Sequence, residues 1–95
     1  MSRARLIEVD LRGVSTVDEL HQLLLKNLNF PDWYGCNWDA FWDAITGLVG
    51  MPETLHLVGW SGFEARFPCD ARIMRKCLED MSTQYPGLAS RVVYA

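Results

Sequence analysis

The chain has 95 residues, of which 49% are hydrophobic, and a formal net charge of −3 at pH 7. This length suffices for one compact domain with a hydrophobic core and is too short for two, so we predict a single domain over residues 1–95. The sequence has no apolar stretch of membrane-spanning length and no apolar N-terminal segment of the signal-peptide type, so we expect a soluble protein that is not secreted. The three cysteines, Cys36, Cys69 and Cys77, are odd in number and form no C-x-x-C pair, so we expect free thiols in the cytoplasm.

The first part of the chain predicts a strand followed by a helix. Residues 5–11 are rich in apolar and β-branched side chains and end at Arg12-Gly13, as a strand would. Thr16-Val-Asp-Glu19 has the form of a capping box, and leucines at helical spacing follow it until Phe30-Pro31, which predicts the first helix. His21 lies beside the apolar face of this helix. We expect it at the surface or its boundary, and not as a metal ligand, because no second residue has ligand spacing.

A second helix is predicted to begin after Asn37, a favourable N-cap residue. Asp39 and Asp43 are four residues apart, where two ionised carboxylates repel each other by roughly a few tenths of a kcal/mol. The helix dipole favours Asp39 in the first turn, but Asp43 gains nothing from it in mid-helix, so we expect Asp43 to serve an external partner. The apolar residues of this helix share one face, which we expect to be buried; they are Trp38, Phe41, Trp42, Ile45 and Leu48.

The second half of the chain predicts two further helices. Ser61-Gly-Phe-Glu64 is another capping-box pattern and indicates a short helix that Pro68 must end. Asp70 is expected to cap a longer helix that closes at Pro86-Gly87. The apolar residues that keep its period are Met74, Cys77, Leu78 and Met81.

Two more strands complete the predicted elements. Residues 54–58 form a short apolar run between Pro52 and Gly59, and residues 91–94 form another at the end of the chain. We expect His56, on the first of these runs, to be a structural residue. Strands separated by helices, and not by two-residue turns, argue for a small α/β fold with a parallel sheet.

Charge is distributed unevenly along the chain. No Lys or Arg occurs from residue 27 to residue 65, a stretch that contains Asp32, Asp39, Asp43, Glu53 and Glu64. The segments on either side are balanced or slightly basic, so the middle of the chain is predicted to carry uncompensated negative charge. Such a surface repels phosphate and attracts a basic partner.

Motifs for catalysis are missing from the sequence. It has no Gly-rich phosphate loop, no G-x-S-x-G elbow and no H-E-x-x-H. Asp39 and Asp43 alone offer fewer oxygen ligands than a hard metal ion usually gathers, and we expect Cys36 to be a bystander because nearby carboxylates oppose its ionisation. Trp33 and Tyr34 lie in a loop where the apolar pattern requires no large ring. Exposed aromatic rings among carboxylates are typical of a protein-binding surface and not of an RNA-stacking one. We therefore predict a binding protein and not an enzyme.

The segment Tyr34-Gly-x-Asn-x-Asp-Ala-x-Trp-Asp43, preceded by Pro31 and followed by Thr46-Gly47, resembles the signature of the barstar family, intracellular inhibitors of the ribonuclease barnase. The match is specific over residues 30–47 and extends more weakly over nearly the whole chain. The resemblance implies a three-stranded parallel sheet packed with about four helices. It also implies a 1:1 heterodimer with a small basic barnase-like ribonuclease, no cofactor or metal, and no direct contact with nucleic acid or membrane.

The same resemblance implies which residues bind the partner. Asp43 would occupy the site of the substrate phosphate, Asp39 would pair with basic groups nearby, and Trp33 stands where the family has a contacting tyrosine. The carboxylate of the fourth helix is Glu79 or Asp80, and the apolar period of that helix favours Asp80. The remaining residues assigned to the surface, some of which shape the loop, are Tyr34, Gly35, Asn37, Trp42 and Thr46.

Two departures from the family pattern leave the identity of the partner open. Leu48 stands where the family has a tryptophan, and Cys36 replaces a glutamate. Because partner choice depends on such differences at the rim of an interface, a second hypothesis is an interaction module of the same fold that binds another toxin or a non-nuclease protein. A small acid/base enzyme that uses the two aspartates is a third and weaker hypothesis.

Overall fold

Three parallel strands form one sheet in the order β1-β2-β3. The computed structural model describes residues 3–95; β1 is Leu6–Asp10, β2 is Thr54–Val58 and β3 is Arg91–Tyr94. The central strand β2 pairs with β1 on one side and with β3 on the other. The predicted α/β fold with a parallel sheet is confirmed. Strands β2 and β3 have the bounds that the sequence predicts, and β1 is one residue shorter at each end.

Four helices pack with the sheet, as expected. Helix α1 is Val17–Leu28 and α2 is Trp38–Asp43, which continues without a break into a π-helical turn, Ala44–Leu48. Helix α3 is Trp60–Arg66 and α4 is Pro68–Gln84. None of the helices within residues 3–95 is both long and apolar enough to cross a membrane.

The predicted N-caps of the first two helices are confirmed. The Thr16 hydroxyl accepts a hydrogen bond from the Glu19 backbone N–H at 3.1 Å, and the Asn37 side chain accepts one from the Ala40 N–H at 2.7 Å. The second half of the capping box differs from expectation. The Glu19 carboxylate accepts from the backbone N–H and hydroxyl of Ser15, so the reciprocal contact lies one residue before the cap and fixes the chain as it enters α1.

The caps predicted for the last two helices are wrong. Helix α3 begins at Trp60, so Ser61 is already inside it, and the cap position is Gly59 with a φ of +76°. A Cβ there would approach Cγ of Arg12 to 2.4 Å, which only glycine avoids. Helix α4 begins at Pro68 rather than after Asp70. Proline suits the first helical position, because the N–H it lacks would have no partner there.

The core gathers apolar side chains from the sheet and the helices. Leu48, expected on the buried face of the second helix, is 45% exposed. The π-helical turn explains this difference: the Val49 N–H bonds to the carbonyl of Ala44 at 3.1 Å, and the wider turn removes residue 48 from the 3.6-residue period. Buried core residues include Val9, Leu20, Leu24, Phe41, Leu55, Leu57, Phe63, Met74 and Leu78.

Candidate functional site

A groove of about 700 Å³ runs between α2 and α4. The indole N–H of Trp38 donates to Asp70 Oδ1 at 2.9 Å, which joins the start of α2 to the start of α4. The Trp42 ring lies 6.4 Å from the ring of Tyr85, just beyond the end of α4. The two helices therefore proceed along the groove in the same general direction.

Three predicted site carboxylates line this groove. Asp39 and Asp43 come from α2 and are exposed, and Asp80 comes from α4 and is half-buried. Within residues 3–95, neither Asp39 nor Asp43 accepts a side-chain hydrogen bond or forms a salt bridge. Their oxygens are free to accept charge-assisted hydrogen bonds from an external donor.

The groove also contains positive charge that the sequence analysis missed. Arg72 and Lys76 of α4 line it, and Lys76 Nζ lies 3.4 Å from Asp80 Oδ1. The acidic stretch from residue 27 to residue 65 is therefore partly compensated in space by cations from the next segment. A signal was available, since α4 carries polar residues at every fourth position from 72 to 84. The lining residues that sequence reasoning did not assign to the site are Trp38, Arg72, Ile73, Lys76, Cys77 and Gln84.

The aromatic loop presents one ring to solvent and buries the other. Trp33 is 72% exposed, as expected, but Tyr34 is only 7% exposed, so the expectation of two exposed rings is wrong for Tyr34. Its hydroxyl lies 2.7 Å from His21 Nδ1, and its ring packs 4.8 Å from that of Phe30. Tyr34 thus holds the loop against the protein core, while the side chain of Trp33 extends into solvent.

His21 is part of the core beneath this loop and not a boundary residue, because it is 1% exposed. Its ring packs 4.6 Å from that of Trp38. Burial lowers the pKa of His21, against the smaller opposite effects of Asp70 and Asp18, so the imidazole is neutral at pH 7. Burial likewise raises the pKa of Tyr34, which keeps its phenol protonated. The pair is a neutral hydrogen bond between α1 and the loop.

The backbone between the loop and α2 is held by short-range contacts. Asn37 caps α2 with its Oδ1, and its Nδ2 donates to the carbonyl of Gly35 at 3.2 Å. Cys36 adopts a φ of +53° between them, in the left-handed region that is uncommon for cysteine. A Cβ on Gly35 would lie 3.2 Å from Asn37 Nδ2, so a side chain there would displace that amide. Gly35 and Asn37 thus define the path of the loop.

The remaining predicted residues lie on the second helix. Trp42 is half-buried and lines the groove. The Thr46 hydroxyl donates to the carbonyl of Trp42 at 2.6 Å, in the π-helical turn, and Thr46 is not part of the groove lining. The structure thus brings Asp39, Trp42, Asp43 and Asp80 together in the groove, with the aromatic loop and Thr46 outside its lining.

A cysteine thiol is among the groups that line the groove. Cys77 is the thiol that lines it, and burial raises the pKa of that thiol, with a further increase from Asp80 and Asp39, so it is not an activated nucleophile. Among the residues that the structure describes, no group of three or more His, Cys, Asp or Glu could hold a metal ion. All three cysteines are free, as expected from their odd number.

Comparisons with known proteins show a family match along most of the chain. The family model described as "Barstar (barnase inhibitor)" matches residues 4–94. A protein of Bacillus subtilis (strain 168) named "Putative ribonuclease inhibitor YrdF" is 47% identical over 53 residues. That alignment covers 56% of this chain and 58% of the Bacillus protein, so it spans little more than half the length of either.

Proposed function

The chain belongs to the barstar family, and from this we propose that it is an intracellular inhibitor of a small basic barnase-like ribonuclease. The observation that carries the proposal is the pair of aspartates on α2: both are exposed, and neither has a partner within residues 3–95. In this proposal a single domain over residues 1–95 acts in the cytoplasm as an immunity protein. It forms a 1:1 heterodimer with the nuclease and performs no catalysis.

The mechanism follows from the chemistry of a ribonuclease cleft, which is lined with basic groups that hold phosphate. Asp43 takes the place of a substrate phosphate and Asp39 pairs with neighbouring basic groups, so that the inhibitor is an anionic mimic of RNA. The helix that presents them is fixed before binding by the Asn37 cap at 2.7 Å and the contact of Trp38 with Asp70 at 2.9 Å. A preorganised surface loses little conformational entropy when it binds.

The other proposed contacts surround this pair. Trp33, 72% exposed, supplies a large apolar ring at the edge of the interface. Asp80 extends the acidic surface along α4, and Trp42 lines the same groove as the carboxylates. Gly35, Asn37 and Thr46 shape the backbone on either side. Tyr34 acts from beneath, by holding the loop through His21.

A titration of barnase activity on RNA tests the proposal. We expect stoichiometric inhibition that is complete at one inhibitor per nuclease, and no hydrolysis of RNA by the protein alone. Asp43→Ala is expected to weaken binding by more than about 2 kcal/mol, the threshold of an interface hot spot. Glu64→Ala is the matched control, because Glu64 is an exposed carboxylate of α3 that does not line the groove. Equal inhibition by both variants would show that the α2 face is not the interface.

A further inference from the structure

One wall of the groove presents cations to a site that is proposed to receive a basic protein. Arg72, Lys76 and Asp80 lie on one face of α4 at intervals of four residues, and all three line the groove. Lys76 is paired with Asp80, and its side chain is 75% exposed. Arg72 is exposed and forms no salt bridge or side-chain hydrogen bond within residues 3–95.

Arg72 and the two aspartates of α2 lie on opposite walls of this groove and form no ion pair with one another. Arg72 on α4 and the two aspartates on α2 line the same space, yet no nitrogen–oxygen pair among them lies within 4.0 Å. The volume of about 700 Å³ between the helices explains why. The charges on both walls therefore remain available to groups that enter the groove from outside.

Arg72 lies near the start of α4, well separated from Asp80. Asp70, which accepts from Trp38, fixes the end of the groove where α2 begins, and Arg72 follows it by two residues. Asp80 lies eight residues farther along α4, or about 12 Å at the helical rise. Along α4 the groove is thus lined by Arg72 near the start of the helix and by the Lys76–Asp80 pair farther along.

A partner that covers the α2 face also removes water from Arg72. A guanidinium keeps its proton in proteins, so Arg72 cannot avoid the cost of desolvation by becoming neutral. A buried charge without a counter-charge is strongly unfavourable. Because Asp39 and Asp43 are engaged by the basic groups of the partner, the counter-charge for Arg72 must come from the partner as well.

We infer that the protein bound in this groove carries a carboxylate opposite Arg72, and that Arg72, with Lys76 beside it, selects that protein among basic ribonucleases. The inference rests on the proposed function and specifies its partner. A ribonuclease that is basic over its whole contact surface meets like charge at Arg72 and is rejected, whereas one with an acidic residue beside its cleft is accepted. Asp39 and Asp43 attract a basic ribonuclease, and the cations of α4 discriminate among such ribonucleases.

The test compares Arg72→Glu with Arg5→Glu in binding kinetics against barnase and a panel of purified barnase-like ribonucleases. Arg5 is an exposed arginine outside the groove lining, so the control makes the same change of charge elsewhere. For each ribonuclease that the wild-type protein binds, we expect Arg72→Glu to accelerate dissociation at least about tenfold and Arg5→Glu to leave it unchanged. Long-range steering alone predicts tighter binding by both variants, because both are more acidic and should associate faster with a basic protein.

A second step identifies the carboxylate. Acidic residues beside the cleft of the bound ribonuclease are changed to lysine one at a time, and one such change is expected to restore slow dissociation with Arg72→Glu but not with the wild-type protein. Arg72→Gln should show a smaller effect of the same sign. Urea unfolding of each variant is expected to match the wild-type protein, because the Arg72 side chain makes no hydrogen bond within residues 3–95.

The possible outcomes separate the two proposals. Dissociation of Arg72→Glu at or below the wild-type rate overturns the inference and leaves the proposed function intact. Failure of the wild-type protein to bind any ribonuclease of the panel overturns the proposed function and the inference together. Binding of a short single-stranded RNA that is lost in Arg72→Glu and Lys76→Gln shows that the cations hold phosphate, and this also overturns the inference.

Discussion

The hydrogen bond between Tyr34 and His21 is expected to be a main support of the aromatic loop. It is 2.7 Å long and joins a side chain on the loop to one on α1, with exposures of 7% and 1% for the two residues. In Tyr34→Phe the imidazole stays buried and loses this partner. Leaving a buried polar group unsatisfied costs about 1–3 kcal/mol. We therefore expect the free energy of unfolding in urea at pH 7 to fall by that amount.

A double-mutant cycle isolates this contact. Replacing both partners, as in Tyr34→Phe with His21→Met, removes the unsatisfied nitrogen as well as the bond, so the double variant should lose less than the sum of the two single losses. Hydrogen exchange at the Gly35 and Cys36 amides should accelerate in Tyr34→Phe, because the loop loses its anchor. Additive losses, or unchanged exchange in the loop, would refute the idea that this bond fixes the loop.

The same histidine makes stability depend on pH. Burial lowers the pKa of His21 in the folded protein, so the unfolded chain binds more protons as pH falls below the ordinary value near 6.5. The stabilisation is fully present above that value and is lost toward the lower folded pKa, by at most about 1.4 kcal/mol per pH unit. Unfolding in urea at pH 7.0 and 5.5 should show this loss in the wild-type protein and a smaller one in His21→Gln. Equal losses in both would assign the pH dependence to other groups.

Three further predictions concern stability and thiols. Asp43→Ala is expected to unfold in urea at the wild-type concentration or slightly above it, because it relieves repulsion with Asp39 and introduces a better helix former; a clear loss would make Asp43 a structural residue. Arg3→Lys is expected to cost about 1–2 kcal/mol in the same assay, since one ammonium group cannot replace a guanidinium that donates to the carbonyls of Met51, Pro52 and Ala89 at 2.8, 2.9 and 3.0 Å. Denatured, non-reduced protein is expected to titrate three thiols, because all three cysteines are free; fewer would indicate a disulfide.

Elements with local boundary signals could be predicted from the sequence. Strand β2 begins and ends as predicted because Pro52 and Gly59 bound a short apolar run, and the start of α1 is marked by a capping box whose first bond is present. Leu48 is a residue for which the prediction from apolar spacing is wrong. Its apolar spacing assumes 3.6 residues per turn, and nothing local in the sequence announces the π-helical turn that exposes it.

Contacts between distant elements could not be predicted in the same way. His21 and Tyr34 are thirteen residues apart, and only the packing of the loop on α1 shows that each satisfies the other. For the same reason the sequence identifies Asp39 and Asp43 as site candidates but does not place Arg72 across from them. Helix periodicity shows which residues share a face, whereas the neighbour of that face is decided by tertiary packing.

Helix α2 keeps its stabilising and its binding residues on separate faces. Phe41 is fully buried, Asn37 caps the first turn, and Trp38 is tied to α4, so the helix is held by packing and hydrogen bonds. Asp39 and Asp43 lie on the exposed side and take no part in these contacts. Because surface charges without partners contribute little to stability, substitutions at Asp39, Asp43 and Arg72 can change the charge pattern of the groove while the fold is retained. The groove can thus be adapted to a different basic partner at little cost to the fold.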